Sequence, residues 1–159
     1  MKKIPYGKHK IFNNDIEYVS KVLKSSSITQ GKIVEKFSDK IAKFVGSKYA
    51  VAVSSGTAAL HSAVACLDLK KGDEVITTPL TFCATANAVL YEGGEVKLAD
   101  IDINNLNIDP TEVEKKITKK TKAIIAVDFR GHPSNLVKIN KIAKKYNLKV
   151  IEDASHSLG

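Results

Sequence analysis

Residues 49–60 have the sequence Tyr-Ala-Val-Ala-Val-Ser-Ser-Gly-Thr-Ala-Ala-Leu. The apolar run at 49–53 predicts a buried strand, and the Ala-rich run at 57–67 predicts a helix. The turn between them exposes the first N–H groups of that helix and the positive end of its dipole. Gly56 lets a ligand approach the backbone closely, and the Ser and Thr beside it add hydroxyl groups. The stretch therefore predicts a phosphate-binding turn, with an ordinary serine-capped helix start as the alternative.

Several better-known motifs do not fit this turn. A P-loop needs Gly-Lys-[Ser/Thr] after the glycine, which is not the sequence after Gly56. The turn also does not match Gly-x-Gly-x-x-Gly or Gly-x-Ser-x-Gly. It therefore gives no support to a dinucleotide-binding fold or to a serine hydrolase.

The rest of the chain alternates strand patterns with helix patterns. After the turn, strands are predicted at 74–78, 95–99, 122–127 and 148–152, and helices at 82–91, 110–117 and 135–146. Before the turn, two amphipathic helices are predicted, from Asn13 or Asn14 to about Lys24 and over 32–45, the second ending at Gly46. Short connections between alternating elements predict an α/β fold, a parallel sheet covered by helices on both faces.

Chemically useful side chains follow the predicted strands. Ligands of parallel sheets bind beyond the carboxyl ends of the strands, where Gly56, Phe82, Asp153 and His156 are all expected. An aromatic ring stacks on a flat heterocycle, and a carboxylate pairs with a protonated ring nitrogen. The combination suits a phosphorylated nitrogen heterocycle such as pyridoxal phosphate (PLP), whose pyridinium ring draws in electrons.

Each of these residues also has an ordinary structural explanation. Asp153 would cap a helix after the strand, and Phe82 would be a core aromatic. His156 and His132 would be surface or capping histidines. Only their coincidence with the predicted phosphate turn at one edge of the sheet favours a cofactor site.

The composition narrows the class of protein. The chain has 159 residues and a formal net charge of +8, carried by lysine because Arg130 is the only arginine. Scattered lysines without an aromatic-interleaved strip predict a solvated basic surface rather than a nucleic-acid site. Cys66 and Cys83 lack Cys-x-x-Cys spacing and are expected to be buried free thiols in a reducing compartment. Neither a signal peptide nor an apolar membrane span is visible, so the cytoplasm is expected.

Several segments, taken in order, resemble the amino-terminal part of the DegT/DnrJ/EryC1/StrS sugar aminotransferases. They are Ser-Ile-Thr-Gln-Gly (27–31), Val-Ser-Ser-Gly-Thr-Ala-Ala-Leu (53–60), Gly-Asp-Glu-Val-Ile-Thr-Thr-Pro-Leu-Thr-Phe (72–82), Ala-Thr-Ala-Asn-Ala-Val (84–89) and Ile-Glu-Asp-Ala-Ser-His-Ser-Leu-Gly (151–159). The resemblance covers nearly the whole chain. It implies part of the large domain of the aspartate-aminotransferase (type I PLP) fold. Residues 4–8 and 107–110 further resemble the branch that acts on UDP-linked 4-keto-6-deoxy-N-acetylhexosamines, which includes the pseudaminic-acid pathway enzyme.

The resemblance implies a role for individual residues. Gly56, Thr57 and Ala58 would bind the cofactor phosphate. Phe82 would stack on the cofactor ring, and Asp153 would pair with the ring nitrogen. His156 would lie near the phenolic oxygen. Tyr6 and Thr29 would reach the sugar nucleotide. The implied reaction moves an amino group from glutamate to C4 of the keto sugar, in a cytoplasmic homodimer. No metal, nucleic acid or membrane is implied.

The resemblance also sets expectations about what the chain lacks. Residues 1–47 would be an arm with two helices, and residues 48–159 the first part of the large domain. The family's lysine that forms a Schiff base with PLP lies downstream of Gly159, so the 159 residues alone are expected to be inactive. Two alternatives stay open: a sugar dehydratase with histidine at that position, and a non-catalytic fragment or dimer partner. Asp128 and Arg130 depart from the family's histidine and small residue, which affects the expected substrate contacts.

Overall fold

The structure is a computed structural model, and it describes residues 9–158. The chain divides into two compact units, Met1–Ala52 and Val53–Gly159. The predicted sugar contact Tyr6 lies outside the described residues. Each unit is presented by itself below.

The first unit contains helix α1, Asn13–Leu23, and helix α2, Lys32–Val45. At the start of α1, the backbone N–H of Phe12 donates to Asp15 Oδ2 over 2.8 Å. Helix α2 ends at Gly46, whose φ of 70° lies in the left-handed region that glycine adopts easily. Both helices were predicted from apolar spacing and are confirmed. Neither helix contains a buried residue.

The second unit is a parallel sheet with helices on both faces. Its strands are β1 Glu74–Thr77, β2 Glu95–Leu98, β3 Thr121–Val127 and β4 Lys149–Asp153, in the order β2-β1-β3-β4. Its helices are α3 Gly56–Ala65, α4 Ala84–Tyr91, α5 Pro110–Lys116 and α6 Leu136–Tyr146, with a short 3-10 turn at Phe129–Gly131. Every described strand pair is parallel, so the predicted α/β fold is confirmed.

Alternate residues of β3 supply the cores on the two faces of the sheet. Ala123 and Ile125 join a cluster with residues of α3 and α4. Ile124 and Ala126 join a second cluster with residues of α5 and α6. Because both faces are covered, residues 123–127 of β3 are all apolar and buried, as expected for a doubly buried parallel strand. The result is a three-layer arrangement of helices, sheet and helices.

The predicted strand at 49–53 is wrong. These residues form no strand in the described part of the chain, and the sheet pairings join only β1 to β4. Tyr49 is 76% exposed and Val51 is 84% exposed. An apolar run indicates only a preference for strand conformation. A strand also needs the edge of another strand to supply hydrogen bonds.

The predicted burial of the cysteines is also wrong. Cys66 and Cys83 are free thiols as expected, but both are exposed. Cys66 is the residue that ends α3, and Cys83 is the residue that precedes α4. Both positions are exposed, which the apolar neighbours of the cysteines in sequence did not reveal. Within residues 9–158, no helix is long and apolar enough to cross a membrane.

Candidate functional site

The predicted phosphate turn is the start of α3. Ser55 is extended and its Oγ accepts a hydrogen bond from the Ala58 N–H over 3.1 Å, so the helix does carry a serine cap. The cap engages the N–H of Ala58 and leaves Gly56 and Thr57 at the exposed first turn. The first N–H groups of a helix have no partner inside the helix and favour an anion. The serine cap and the predicted anion site are therefore compatible.

Gly56 brings this turn close to the segment that follows β4. A Cβ atom placed on Gly56 would lie 3.1 Å from Ser155 Oγ, a tighter contact than Cβ atoms usually make. Glycine therefore permits the approach. Ser155 in turn donates its hydroxyl to Asp153 Oδ1 over 2.6 Å. The start of α3 and the carboxyl end of β4 thus meet through Ser155.

Asp153, the last residue of β4, is the buried carboxylate of the site and is 7% exposed. Its Oδ2 accepts a hydrogen bond from Thr85 Oγ1 over 2.8 Å, and its Oδ1 accepts from the Ser155 hydroxyl. Thr85 Oγ1 also lies 2.7 Å from Thr81 Oγ1. Each carboxylate oxygen offers two acceptor positions, so the carboxylate keeps room for a further donor.

Phe82 lies in the same short connection between β1 and α4 as Thr81. Its ring is 72% exposed, which excludes the alternative of a core aromatic. Its carbonyl oxygen accepts the Thr85 N–H over 3.1 Å. Because Thr85 reaches Asp153, the connection places an accessible aromatic residue and a buried carboxylate in one hydrogen-bonded group.

The segment after β4 is fixed by the loop after β3. Asp128, which is buried, accepts hydrogen bonds from the Ser134 N–H and the Ser157 hydroxyl, each over 2.8 Å. Gly131 has a φ of 81°, and a Cβ on it would lie 2.7 Å from the carbonyl oxygen of His156. His156 itself is exposed. The sequence had marked Asp128 only as a departure from the family, and it is an anchor of this loop.

Asp128 and Glu152 form a pair of interacting acids. Burial opposes ionisation of Asp128, but hydrogen bonds from Ser134, Ser157 and Glu152 outweigh it and hold the pKa of Asp128 below its usual value. Desolvation, followed by the hydrogen bond and negative charge of Asp128, raises the pKa of Glu152. Within the pair, Asp128 therefore ionises more readily than Glu152 does.

Asn107 was missed at the sequence level, and it supports the same loop. It is buried, its Nδ2 donates to the His132 carbonyl over 2.9 Å, and its Oδ1 accepts the Phe129 N–H over 3.0 Å. Arg130 has a left-handed φ of 57° and its guanidinium lies 5.1 Å from the centre of the Phe129 ring. The sequence marked Asn107 only through the resemblance of residues 107–110 and gave it no structural role, because its partners come from a loop more than twenty residues away.

The predicted residues do not all come together. Gly56, Phe82, Asp153 and His156 lie in elements of the second unit that are connected by the contacts above. Thr29 lies in the first unit, exposed, in the loop before α2, and its role stays a prediction. Among the described residues, no group of three or more His, Cys, Asp or Glu side chains could hold a metal ion.

Comparison with known proteins identifies the class. Residues 9–159 match the model of the DegT/DnrJ/EryC1/StrS aminotransferase family. A Campylobacter jejuni UDP-4-amino-4,6-dideoxy-N-acetyl-beta-L-altrosamine transaminase is 42% identical over 159 residues, which cover 98% of this chain and 42% of that protein. The chain belongs to the DegT/DnrJ/EryC1/StrS aminotransferase family.

Two solved structures have the same fold over this length. Helicobacter pylori PseC, an aminotransferase involved in the biosynthesis of pseudoaminic acid, is 35% identical with a TM-score of 0.92, covering 99% of this chain and 43% of that chain. A GDP-4-keto-6-deoxymannose-3-dehydratase with a trapped PLP-glutamate geminal diamine is 36% identical, also with a TM-score of 0.92, covering 99% and 42%. The chain thus spans about two fifths of the length of these relatives.

Proposed function

We propose that this chain supplies the first part of the PLP-binding large domain of a sugar-nucleotide aminotransferase, with residues 48–159 forming that part. The reaction would move an amino group from glutamate to C4 of a UDP-linked 4-keto-6-deoxy-N-acetylhexosamine. The observation that carries the proposal is the buried Asp153 carboxylate, held at the same edge of the sheet as the start of α3 and the exposed Phe82 ring.

The residues at this edge fit PLP. The start of α3 offers backbone N–H groups at Gly56, Thr57 and Ala58, of which the Ala58 N–H is shared with the Ser55 cap. The absence of a Cβ at Gly56 keeps this turn open beside Ser155. Phe82 presents an accessible ring for stacking, and His156 lies on the segment that follows Asp153. These are the groups that a phosphate, a flat ring and a phenolic oxygen would contact.

Asp153 would determine the charge of the cofactor ring. Bound PLP supplies a protonated pyridine ring that withdraws electrons from the carbon under attack. A fixed carboxylate at the ring nitrogen holds the proton there, because an opposite charge at hydrogen-bond distance favours the protonated form. Thr85 and Ser155 keep the carboxylate oriented, and Phe82 would stack on the cofactor ring.

The relatives support the sugar substrate and the pathway. The Campylobacter relative is a transaminase named for a UDP-linked amino sugar, and PseC is an aminotransferase of pseudoaminic acid biosynthesis. A Bacillus subtilis relative, spore coat polysaccharide biosynthesis protein SpsC, is 42% identical over 155 residues. We infer a role in nucleotide-sugar and surface-polysaccharide biosynthesis, in a cytoplasmic homodimer.

A dehydratase is the second candidate. The dehydratase structure matches this chain as well as PseC does, with the same TM-score and almost the same identity. According to the family resemblance, the two activities differ at the position of the lysine that links PLP. Transaminases have lysine at that position, and dehydratases have histidine. On either assignment, the 159 residues alone are expected to be inactive, because no lysine in this chain matches the context of the one that links PLP.

The test uses the complete gene product incubated with glutamate and a UDP-linked 4-keto-6-deoxy-N-acetylhexosamine. The transaminase proposal expects 2-oxoglutarate and a 4-amino sugar in equal amounts, dependent on added PLP. Loss of the sugar hydroxyl without formation of an amino sugar would identify the dehydratase. If the protein does not bind PLP, both enzyme assignments are wrong, and the remaining hypothesis is a non-catalytic partner. The same assay on residues 1–159 alone serves as the inactive control.

A further inference from the structure

The hydroxyl of Thr85 has a defined direction. An ionised carboxylate only accepts hydrogen bonds, so the Thr85 hydroxyl donates its one proton to Asp153 Oδ2, 2.8 Å away. Thr85 Oγ1 then has only acceptor capacity left for Thr81, 2.7 Å away. Thr81 must therefore donate to Thr85. The result is a directed relay from Thr81 to Thr85 to Asp153.

This arrangement differs from that of an ordinary threonine in a helix. Helical threonines commonly turn the hydroxyl back to a carbonyl one turn earlier in the same helix. Thr85 is fully buried in the first turn of α4, yet its hydroxyl reaches a carboxylate that is 68 residues away in sequence. Its outer partner, Thr81, comes from the connection that also carries Phe82. A buried hydroxyl thus links the stacking residue's segment to the carboxylate.

The Asp153 carboxylate is held from both sides. Thr85 binds Oδ2, and Ser155 binds Oδ1 through its hydroxyl over 2.6 Å and its N–H over 3.3 Å. Separate donors on the two oxygens fix the rotation of the carboxylate plane. Hydrogen bonds in such a chain polarise one another, and donors to a charged group are stronger than neutral ones. Ser155 occupies both acceptor positions of Oδ1, so Oδ2, which accepts only from Thr85, keeps one position for a ligand.

We propose that Thr85 is a positioning residue that aims the Asp153 carboxylate at the protonated ring nitrogen of the cofactor, with Thr81 as its outer donor. This role rests on the proposed function. Thr85 does not touch the cofactor in this assignment; it acts through Asp153. Its contribution is therefore specific to ligands whose ring carries a nitrogen at that position.

That specificity gives a readout that a merely structural role would not change. The complete gene product, freed of cofactor, is titrated with PLP and with a deaza analogue in which carbon replaces the ring nitrogen. The wild-type protein should bind PLP more tightly than the analogue. Thr85→Val keeps the shape but removes the hydroxyl, and should reduce this preference about tenfold, the effect of losing one hydrogen bond to a charged group. Binding of the analogue should change little.

The controls use matched threonines. Thr85→Ser keeps a hydroxyl and should retain most of the preference. Thr77→Val removes an equally buried hydroxyl, one that donates to the Ile125 carbonyl over 3.0 Å instead of to Asp153, and should leave the preference unchanged. Thr81→Val removes only the outer donor and should give a smaller loss, about threefold.

The outcomes separate the two proposals. If the wild-type protein prefers PLP and Thr85→Val shows the same preference, the positioning role is wrong and the proposed function stands. If the wild-type protein does not bind PLP, or binds it no better than the analogue, the role of Asp153 fails and that of Thr85 fails with it. Should Thr85→Val fail to fold, an unchanged preference in Thr81→Val overturns the relay.

Discussion

The hydroxyl of Ser157 donates to Asp128 Oδ2 over 2.8 Å, and this bond joins the segment after β4 to the end of β3. It acts together with the close approach of Gly131 to the His156 carbonyl. Ser155 and His156, which follow Asp153 at the end of β4, therefore lie on a segment that contacts a loop without any predicted cofactor contact. Changes in that loop should reach the site indirectly.

Replacement of Gly131 by alanine should be costly for two separate reasons. Its φ of 81° is unfavourable for a residue with a Cβ, and that Cβ would meet the His156 carbonyl at 2.7 Å. Gly72→Ala is the matched control, since Gly72 has a φ of 89° but open space around the added atom. We expect Gly72→Ala to lower the free energy of unfolding by about 1 kcal/mol. Gly131→Ala should lower it by about 1–2 kcal/mol more. Equal losses in chemical denaturation would show that the contact with His156 is unimportant.

Gly56 and Ser155 should be energetically coupled. A Cβ at Gly56 would lie 3.1 Å from Ser155 Oγ but 3.9 Å from Ser155 Cβ, so the conflict is with the hydroxyl. Gly56→Ala should therefore be better tolerated in a Ser155→Ala background than in the wild-type protein, with a coupling of about 0.5–3 kcal/mol. Denaturation of the two single variants and the double variant completes the cycle. If the stability changes of the two single variants simply add up in the double variant, the predicted conflict between the added Cβ and the Ser155 hydroxyl is wrong.

The acidic pair should make stability depend on pH in a predictable direction. The pKa of Glu152 is raised above its ordinary 4.5, so the folded protein holds that proton more tightly than the unfolded chain does. Stability is then lost as the pH rises from 4.5 through the raised value, where Glu152 ionises beside Asp128. Glu152→Gln removes this loss, and its melting temperature relative to wild type should increase from pH 4 to pH 7.

Asp128 makes the opposite contribution. Its pKa is lowered from 3.8, so its stabilising effect is present above that value and is lost as the pH falls through the lowered one. Asp128→Asn should therefore be destabilising at neutral pH and nearly neutral in strong acid. Thermal melts of Glu152→Gln and Asp128→Asn from strong acid to neutral pH test the predicted direction of each pH dependence. A pH-independent difference for either variant would contradict the pKa shift assigned to the residue that it replaces.

Asp153 should be required for cofactor function in the complete gene product. Asp153→Asn keeps the size of the side chain but removes the charge that would hold a proton on the ring nitrogen. We expect amino transfer to fall about a hundredfold or more, with weaker PLP binding, and Asp153→Ala to be at least as severe. Steady-state rates with glutamate and the keto sugar, measured at saturating PLP, separate the two effects. Full activity of either variant would refute the assigned role.

The sequence predicted those features that depend on local pattern. The helix predicted at 110–117 is α5, Pro110–Lys116, and at its start the Asp109 side chain accepts the Thr111 N–H over 2.7 Å. The strand predicted at 122–127 is β3, Thr121–Val127, and its apolar residues 123–127 are buried. The rule that ligands bind beyond the carboxyl ends of parallel strands placed Phe82 and Asp153 at one edge, and the structure connects them there through Thr85.

The sequence failed where a residue's role depends on a distant partner. The preference of residues 49–53 for a strand gave no information about whether a strand edge would be available. Thr85 and Asn107 lie in segments that carry the resemblance, but the sequence assigned neither of them a role, because a buried hydroxyl or amide looks ordinary until its partner is known. The exposure of Cys66 and Cys83 depends on the ends of α3 and α4, which apolar neighbours in sequence do not reveal.

The strand order also has a consequence for how the chain folds as it is synthesised. β1 has β2 on one side, which follows it directly, and β3 on the other, so that the Thr77 hydroxyl bonds a carbonyl 48 residues away, at Ile125. At about 5–20 residues per second, translation delays that second pairing by several seconds after β1 leaves the ribosome. During that interval the edge of β1 that later pairs with β3 has no partner strand. We expect this nascent chain to need chaperone protection, and its refolding to be slow for its size.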